Sequence, residues 1–351
     1  MNTISMPPLL PHPTFTLYQD EPVYDPDIHL SLTEPDYVVL LDKFQHVSKT
    51  PKVDRSVTSN VDGQLAYTSP FQVLSDEGYR VLLMIIDRDQ AYQKNDDIAT
   101  VHIRDCGYRS KWIQDFNRCP RVLNHLSKIT GDVQLLPVAY QIFYSQVNIG
   151  FPNGLNVTQY HCDSVPYVLL LRASDMNKTI GGDLEMIERE SKEAFHLIEQ
   201  HKGEVPDEYT RKIEYGDINS CILMQGSRIA HRVTPIDSCS EPRITVVNSY
   251  MTNNPYAFDY ARYSFYKKES TAALEYAMHK VWRANGQMLE LATGDHPYPT
   301  NDEIIEHLTM AINELTQARH LISDSKSDQI GYFDQKNQEL YNDRSVDTTM
   351  M

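Results

Sequence analysis

Hydrophobic and polar positions divide the chain into three textures. Over residues 70–131 the apolar positions recur three and four apart. "LSDEGYRVLLMIIDRDQAYQ" predicts a helix with Ser75 as its N-cap. "SKWIQDFNRCPRVLNHLSKITG" predicts helix again, interrupted near Pro120 and ending at Gly131. From Val133 to Met251 the texture changes to short β-branched and aromatic runs separated by Gly, Asn, Asp and Pro. The strand candidates are "VAYQIFYSQVNIG", "NVTQYHCD", "PYVLLLR", "GGDLEMIE", "DINSCILMQG", "SRIAHRVTPI" and "RITVVNSYM". Only "RESKEAFHLIEQHKG" among them reads as a helix. After Met251 the helical period returns in "YARYSFYKKESTAALEYAMHKVWRANGQMLELA" and "TNDEIIEHLTMAINELTQARHLI", the second opened by a Thr300–Glu303 capping box.

Many short strands at this spacing predict an antiparallel sandwich or jelly roll. The expected layout is a proline-rich extended arm over residues 1–36, one domain over 37–323 and a polar tail over 324–351. Within the domain, the β core is expected at about 133–252, with helices at 70–131 and 254–323. "YVVLLDKFQHV", Tyr37–Val47, is the expected first ordered element.

Composition narrows the partners. With 48 acidic against 32 basic residues the net charge is −16, which disfavours a nucleic-acid surface or an anionic membrane. Five cysteines without a CxxC pair argue against a disulfide framework or a structural zinc site. The N-terminus lacks a basic start followed by an apolar core, so no secretory leader is expected. The longest apolar runs are too short to span a bilayer. A cytoplasmic protein acting on a small molecule is the expectation; oligomeric state stays open.

The chemistry begins at "TQYHCDSV". On a strand, His161 and Asp163 share one face, and Cys162 takes the other as a small hydrophobe. His231, in "SRIAHRVTPI", is the best third ligand. Two histidines and one carboxylate form the facial triad that suits Fe(II) and leaves sites open for a cosubstrate and O2. Arg243 starts the apolar strand "RITVV", where a cation needs a partner. Its fork can grip a carboxylate, with Thr245 adding a hydroxyl from the same face. A dicarboxylic keto acid would satisfy metal and arginine together.

In this order "HCD", "GGDLEMIE", "YGDINSCILMQGSRIAHRV" and "RIT" resemble the HxD…H…RxS/T pattern of Fe(II)/2-oxoglutarate-dependent oxygenases, across roughly Gln141 to Tyr250. The resemblance implies a mainly β fold with flanking helices, a double-stranded β-helix (distorted, cupin-like jelly roll). It implies Fe(II) held by His161, Asp163 and His231, and 2-oxoglutarate anchored by Arg243. It also implies oxidative decarboxylation to succinate, coupled to hydrogen abstraction from an unactivated C–H bond. The presence of Asp163 sets the chain apart from halogenases of this superfamily, which have a small residue there. The flanking helices resemble the phytanoyl-CoA-hydroxylase-like branch. The layout is similar to fungal secondary-metabolite oxygenases of free amino acids, one of which closes an aziridine ring on valine.

Around this set, Gln146 and Asn148 are expected on one strand face with Tyr144, reaching cosubstrate or substrate. Arg109, Lys111 and Arg172 are candidates for an acidic group of the substrate, each weighed against an ordinary solvated charge. A free amino acid is the favoured substrate, and a lipid-like, terpenoid or polyketide intermediate the alternative. Two further readings are a jelly-roll binding module without catalysis, and a cupin-type enzyme that does not use 2-oxoglutarate. The first predicts a broken ligand set. The second predicts additional His or Glu ligands near His161.

Overall fold

A computed structural model describes residues 6–41, 44–47, 63–95, 101–131, 133–255, 257, 259, 261, 263, 267–293 and 299–323. The expected tail, 324–351, lies outside the described residues. Residues 6–36 run extended except for one helical turn, α1 (Pro26–His29), started by Pro26 and capped by Asp25. Prolines hold this arm open. It is strapped down where Tyr18 N–H donates to Arg109 O at 2.8 Å and Arg118 Nη1 donates to Pro7 O at 2.7 Å.

Four short strands follow: β1 (Val38–Leu40), β2 (Gln45–Val47), β3 (Leu65–Thr68) and β4 (Phe71–Gln72). Next comes α2 (Asp76–Asp89), whose Ser75 side chain accepts from Gly78 N–H and whose Val81, Leu82, Ile85 and Ile86 are buried. After β5 (His102–Ile103), the helices α3 (Cys106–Arg109), α4 (Lys111–Asn117) and α5 (Pro120–Ile129) complete the first flank. Pro120 ends one helix and starts the next, because it cannot donate within a continuous helix but fits a first turn.

The core holds β6 (Leu135–Pro137), β7 (Gln146–Gly150), β8 (Asn156–His161), β9 (Tyr167–Arg172), β10 (Thr179–Gly181) and β11 (Leu184–Ile187). Helix α6 (Ser191–Gln200) precedes β12 (Thr210–Ile213), β13 (Ser220–Met224), β14 (His231–Cys239) and β15 (Arg243–Thr252). Among the described residues these pair into two antiparallel sheets. The larger runs β2-β1-β3-β13-β9-β15-β7-β5, and the smaller runs β10-β14-β11-β12 with β8 also on β14. From β7 onward the chain crosses repeatedly between the sheets, with β7, β9, β13 and β15 in the larger and β8, β10–β12 and β14 in the smaller, which is the jelly-roll path of a double-stranded β-helix. β9 explains its own composition: "YVLLLR" is buried at all six positions because β13 and β15 flank it and both its faces are covered.

The larger sheet reaches beyond 133–252. β1 and β3 extend it past β13, and β5 pairs with β7, so residues 38–103 contribute strands as well as helix. These strands are two to four residues long, too short to show a period. "VAYQIFYSQVNIG" is a strand only over Gln146–Gly150, since Gln141–Phe143 form a 3-10 turn and Ser145 has φ 54°. Two long helices, α7 (Ala272–Thr293) and α8 (Asn301–Ser323), pack together at the C-terminal end. The Thr300–Glu303 capping box forms, with Thr300 N–H donating to Glu303 at 2.7 Å and Glu303 N–H to Thr300 Oγ1 at 3.3 Å.

Candidate active site

Strand register assembles the site. His161 ends β8, His231 starts β14, and the two are direct register partners with ring centroids 4.2 Å apart. Asp163 follows β8 by two residues, and its N–H donates to Gly226 O at 2.9 Å. His161 Nε2 lies 3.5 Å from Asp163 Oδ1, and His231 Nε2 lies 3.8 Å from Asp163 Oδ2. One ligand atom from each of the three lies within 4.8 Å of those of the other two.

The imidazoles are fixed by their own strands. His161 Nδ1 meets Gln159 O at 2.7 Å, and His231 Nδ1 meets Ile229 O at 2.9 Å. A carbonyl accepts only, so each Nδ1 carries the proton and each Nε2 turns its lone pair inward. Burial lowers His231 to about 4, assisted by His161 and opposed by Asp163, so its ring is neutral at pH 7. Burial alone would raise Asp163, but His231 and His161 hold it below the usual carboxylate range. Its Oδ2 is buried without a hydrogen-bond partner among the described residues. A buried orphan carboxylate oxygen is costly unless something cationic completes it. Two inward lone pairs and this oxygen fit a divalent metal ion.

The triad opens into a cavity of about 80 Å³ between the two sheets, several times the space one water needs. Arg243, the first residue of β15, lines the same cavity and is 1% exposed. Its Nε donates to Gly182 O at 2.8 Å and its Nη1 to Thr245 Oγ1 at 2.7 Å. Tyr215 lies against it, ring centroid 5.5 Å from the guanidinium carbon. Among the described residues no carboxylate pairs with it. The "GG" of "GGDLEMIE" explains itself here. Gly182, at φ 70°, lets Arg243 pass so closely that a Cβ would lie 2.8 Å from its Cδ.

Gln146 and Asn148 also line the cavity, with Gln146 Nε2 donating to Asn148 Oδ1 at 2.9 Å. Thr245 does so beside them, as register partner of Asn148. Leu170, Leu184, Val233 and Val247 give the cavity its apolar walls.

Four candidates do not line it. Tyr144 precedes the strand, and the left-handed Ser145 turns it into the core, where its hydroxyl donates to Val138 O at 3.0 Å. Arg109 is buried against Asp89, Nη2 to Oδ2 at 2.9 Å. Lys111 sits on an exposed turn of α4, paired with Asp115. Arg172 leaves the end of β9 and donates to the carbonyls of Ser174 and Gly216. Sequence reasoning missed Arg104 and Tyr215, which line the cavity. Arg104 follows a two-residue strand with no readable period, while Tyr215 precedes a Gly-Asp turn that looked merely structural.

Comparison with known proteins finds no matching family and no matching curated protein. Solved structures resemble parts of the fold. The non-heme alpha ketoglutarate dependent epimerase SnoN from nogalamycin biosynthesis is 15% identical at TM-score 0.38, over 53% of this chain and 76% of that one. AviO1 from Streptomyces viridochromogenes Tue57 is 14% identical at TM-score 0.40, over 59% and 98%. A prolyl 4-hydroxylase from Phytophthora capsici is 13% identical at TM-score 0.34, over 79% and 88%. Likeness at this level speaks to neither activity nor substrate.

Proposed function

We propose that the protein is a non-haem Fe(II)/2-oxoglutarate-dependent oxygenase acting on a C–H bond of a small metabolite. The observation that carries this reading is one cavity holding both an open His–Asp–His triad and a buried guanidinium that has no carboxylate partner among the described residues. A buried cation of this kind calls for an anion from outside the protein. A keto acid with a distal carboxylate meets both halves of the site.

In this reading His161, Asp163 and His231 would hold Fe(II) on one face. Arg243 would take the distal carboxylate of 2-oxoglutarate, with the Thr245 hydroxyl beside it. Gly182 O and Thr245 fix the guanidinium in advance, so little freedom is lost on binding. Leu170, Leu184, Val233 and Val247 exclude water from the reacting carbon. Bound Fe(II) would supply oxygen activation coupled to decarboxylation of the keto acid.

The flanking helices support placement in the phytanoyl-CoA-hydroxylase-like branch, and the overall layout supports hydroxylation or ring closure of a free amino acid as the favoured reaction. A lipid-like substrate would suit a cavity lacking a second cation, and here Arg104 is present. The cupin-type alternative leaves Arg243 without a task.

Anaerobic titration with Fe(II) and then 2-oxoglutarate tests the reading. The expected result is the weak visible charge-transfer band of the chelate, absent in His231→Ala. Iron binding without a band on adding 2-oxoglutarate would overturn the cosubstrate assignment.

A further inference from the structure

Helix α8 is held to the protein by one face. Its buried positions, Ala311, Glu314 and Ala318, are spaced three and four apart. Glu314 accepts from Lys280 Nζ and from Arg283 Nε of α7, each at 2.8 Å, and His307 Nδ1 meets Gln287 O at 3.0 Å. Contacts running from Gln287–His307 to Lys280–Glu314 make the two helices antiparallel. A surface helix anchored in this way normally turns polar residues to water on its other side. α8 does not. Ile305, Leu308, Ile312 and Leu315 are exposed at 60%, 42%, 59% and 45%. Their spacing of three, four and three is the a/d repeat of a helix-pairing seam, with Ile at each a and Leu at each d position. At about 100° per residue the seam is centred more than a quarter-turn away from the anchored face.

The seam is flanked by Thr309 and Thr316 on one side and by Ala311 and Ala318 on the other. A second copy can therefore meet it without setting like charges together along its length, although each chain carries a net charge of −16. Charge also selects the orientation. The first turn of α8 exposes Asp302, and the last exposes Arg319, which occupies the next a position of the seam. A parallel pair would set Arg319 against the partner's Arg319. An antiparallel pair, with Ile305 on the partner's Leu315 and Leu308 on the partner's Ile312, brings Arg319 to the partner's Asp302. That pairing is self-complementary and closes on a twofold axis.

The area suits a dimer. Four half-exposed branched side chains present on the order of 400 Å² of apolar surface, within the size of patch that marks an interaction site. An apolar core of about 65% of the contact then implies roughly 600 Å² on each copy. The pair buries about 1,200 Å², the lower end of stable interfaces. The bonds to α7 hold α8 in place beforehand, which lowers the ordering cost of association.

We propose that the protein forms a twofold dimer through the Ile305–Leu315 seam of α8, antiparallel to the same seam of a second copy. This does not depend on the chemistry of the cavity.

Sedimentation velocity of the full chain tests it across about 1 to 100 µM, the weak end of affinities for interfaces of this size. The mass should move from monomer to dimer over that range. Ile312→Glu changes a side chain exposed in the single chain, so far-UV circular dichroism should hold while the dimer Kd rises about 30-fold or more, as for a central hot spot. Arg319→Glu should raise the Kd about tenfold. Adding Asp302→Arg to it restores an opposite-charge pair at both ends and should bring the Kd back to within about threefold of the wild type.

A wild type that stays monomeric at about 100 µM would overturn the proposal. If Ile312→Glu also lowers the urea midpoint of that monomer, the seam is covered by another segment of the same chain. A dimer indifferent to Ile312→Glu would belong to a different surface. A loss in Arg319→Glu that the charge swap does not recover would overturn the antiparallel register.

Discussion

Gly226 and Asp163 lie so close that a Cβ on the glycine would fall 1.8 Å from Asp163 Oδ2. The same glycine accepts the Asp163 backbone N–H at 2.9 Å, so it fixes the residue while leaving room for its carboxylate. A methyl group there must displace Oδ2 from its present position. Gly226→Ala is therefore expected to weaken Fe(II) binding by about 10- to 100-fold, the range typical for disturbed support of a metal ligand. Isothermal titration under nitrogen measures this directly. Far-UV circular dichroism should stay unchanged.

On the proposed reading, Arg243 serves cosubstrate binding and not metal binding. Arg243→Gln removes the charge and the fork, and should weaken 2-oxoglutarate binding by about 10- to 100-fold. Arg243→Lys retains charge without the two-pronged geometry and should fall between. Fe(II) affinity should hold in both, because the three ligands sit on β8, β14 and the turn after β8. Equal loss of iron and 2-oxoglutarate would show that Arg243 acts on the fold instead.

The His161–Asp163–His231 cluster was legible because two residues apart on a strand means one face, and because the apolar run PYVLLL follows the HCD segment. Arg243 was legible as a cation opening an apolar strand. The second cation of the cavity was not. Arg104 and Arg109 are five residues apart in a segment without a period, and only tertiary contacts give Arg109 to Asp89 and Arg104 to the cavity. Tyr144 was misplaced because the left-handed Ser145 interrupts the alternation that the pattern assumed. The outer strands of the larger sheet were missed because two to four residues carry no period.

At the C-terminal end, α7 and α8 are tied by buried charges. Lys280 binds Asp259 and Glu314, Arg283 Nε reaches Glu314 Oε1 at 2.8 Å, and His279 Nε2 reaches Asp259 Oδ1 at 2.9 Å. Burial alone would raise Asp259, but Lys280, His279 and Arg283 hold it well below the usual range. Removing one partner strands the others. Asp259→Ala should cost about 3–5 kcal/mol in urea unfolding. A loss under about 1 kcal/mol would mean that these charges are hydrated, as exposed pairs are.

Glu275 gives the stability of the protein a pH dependence. Its carboxyl, on α7, accepts from the Tyr108 hydroxyl and from Ile142 N–H at 3.3 Å, and is fully buried. Burial pushes it up to about 8 from 4.5, against the pull of those hydrogen bonds. Between these two values the folded chain keeps the proton and the unfolded chain has lost it. Unfolding then releases a proton, so stability falls as pH rises, by up to about 1.4 kcal/mol per pH unit. The contribution is greatest below 4.5 and is exhausted above about 8. Glu275→Gln keeps an acceptor for Tyr108 and cannot ionise. The wild type should therefore lose ground to this variant steadily from pH 5 to pH 8 in urea unfolding. A difference that stays flat across that range would mean that Glu275 is already ionised in the folded protein.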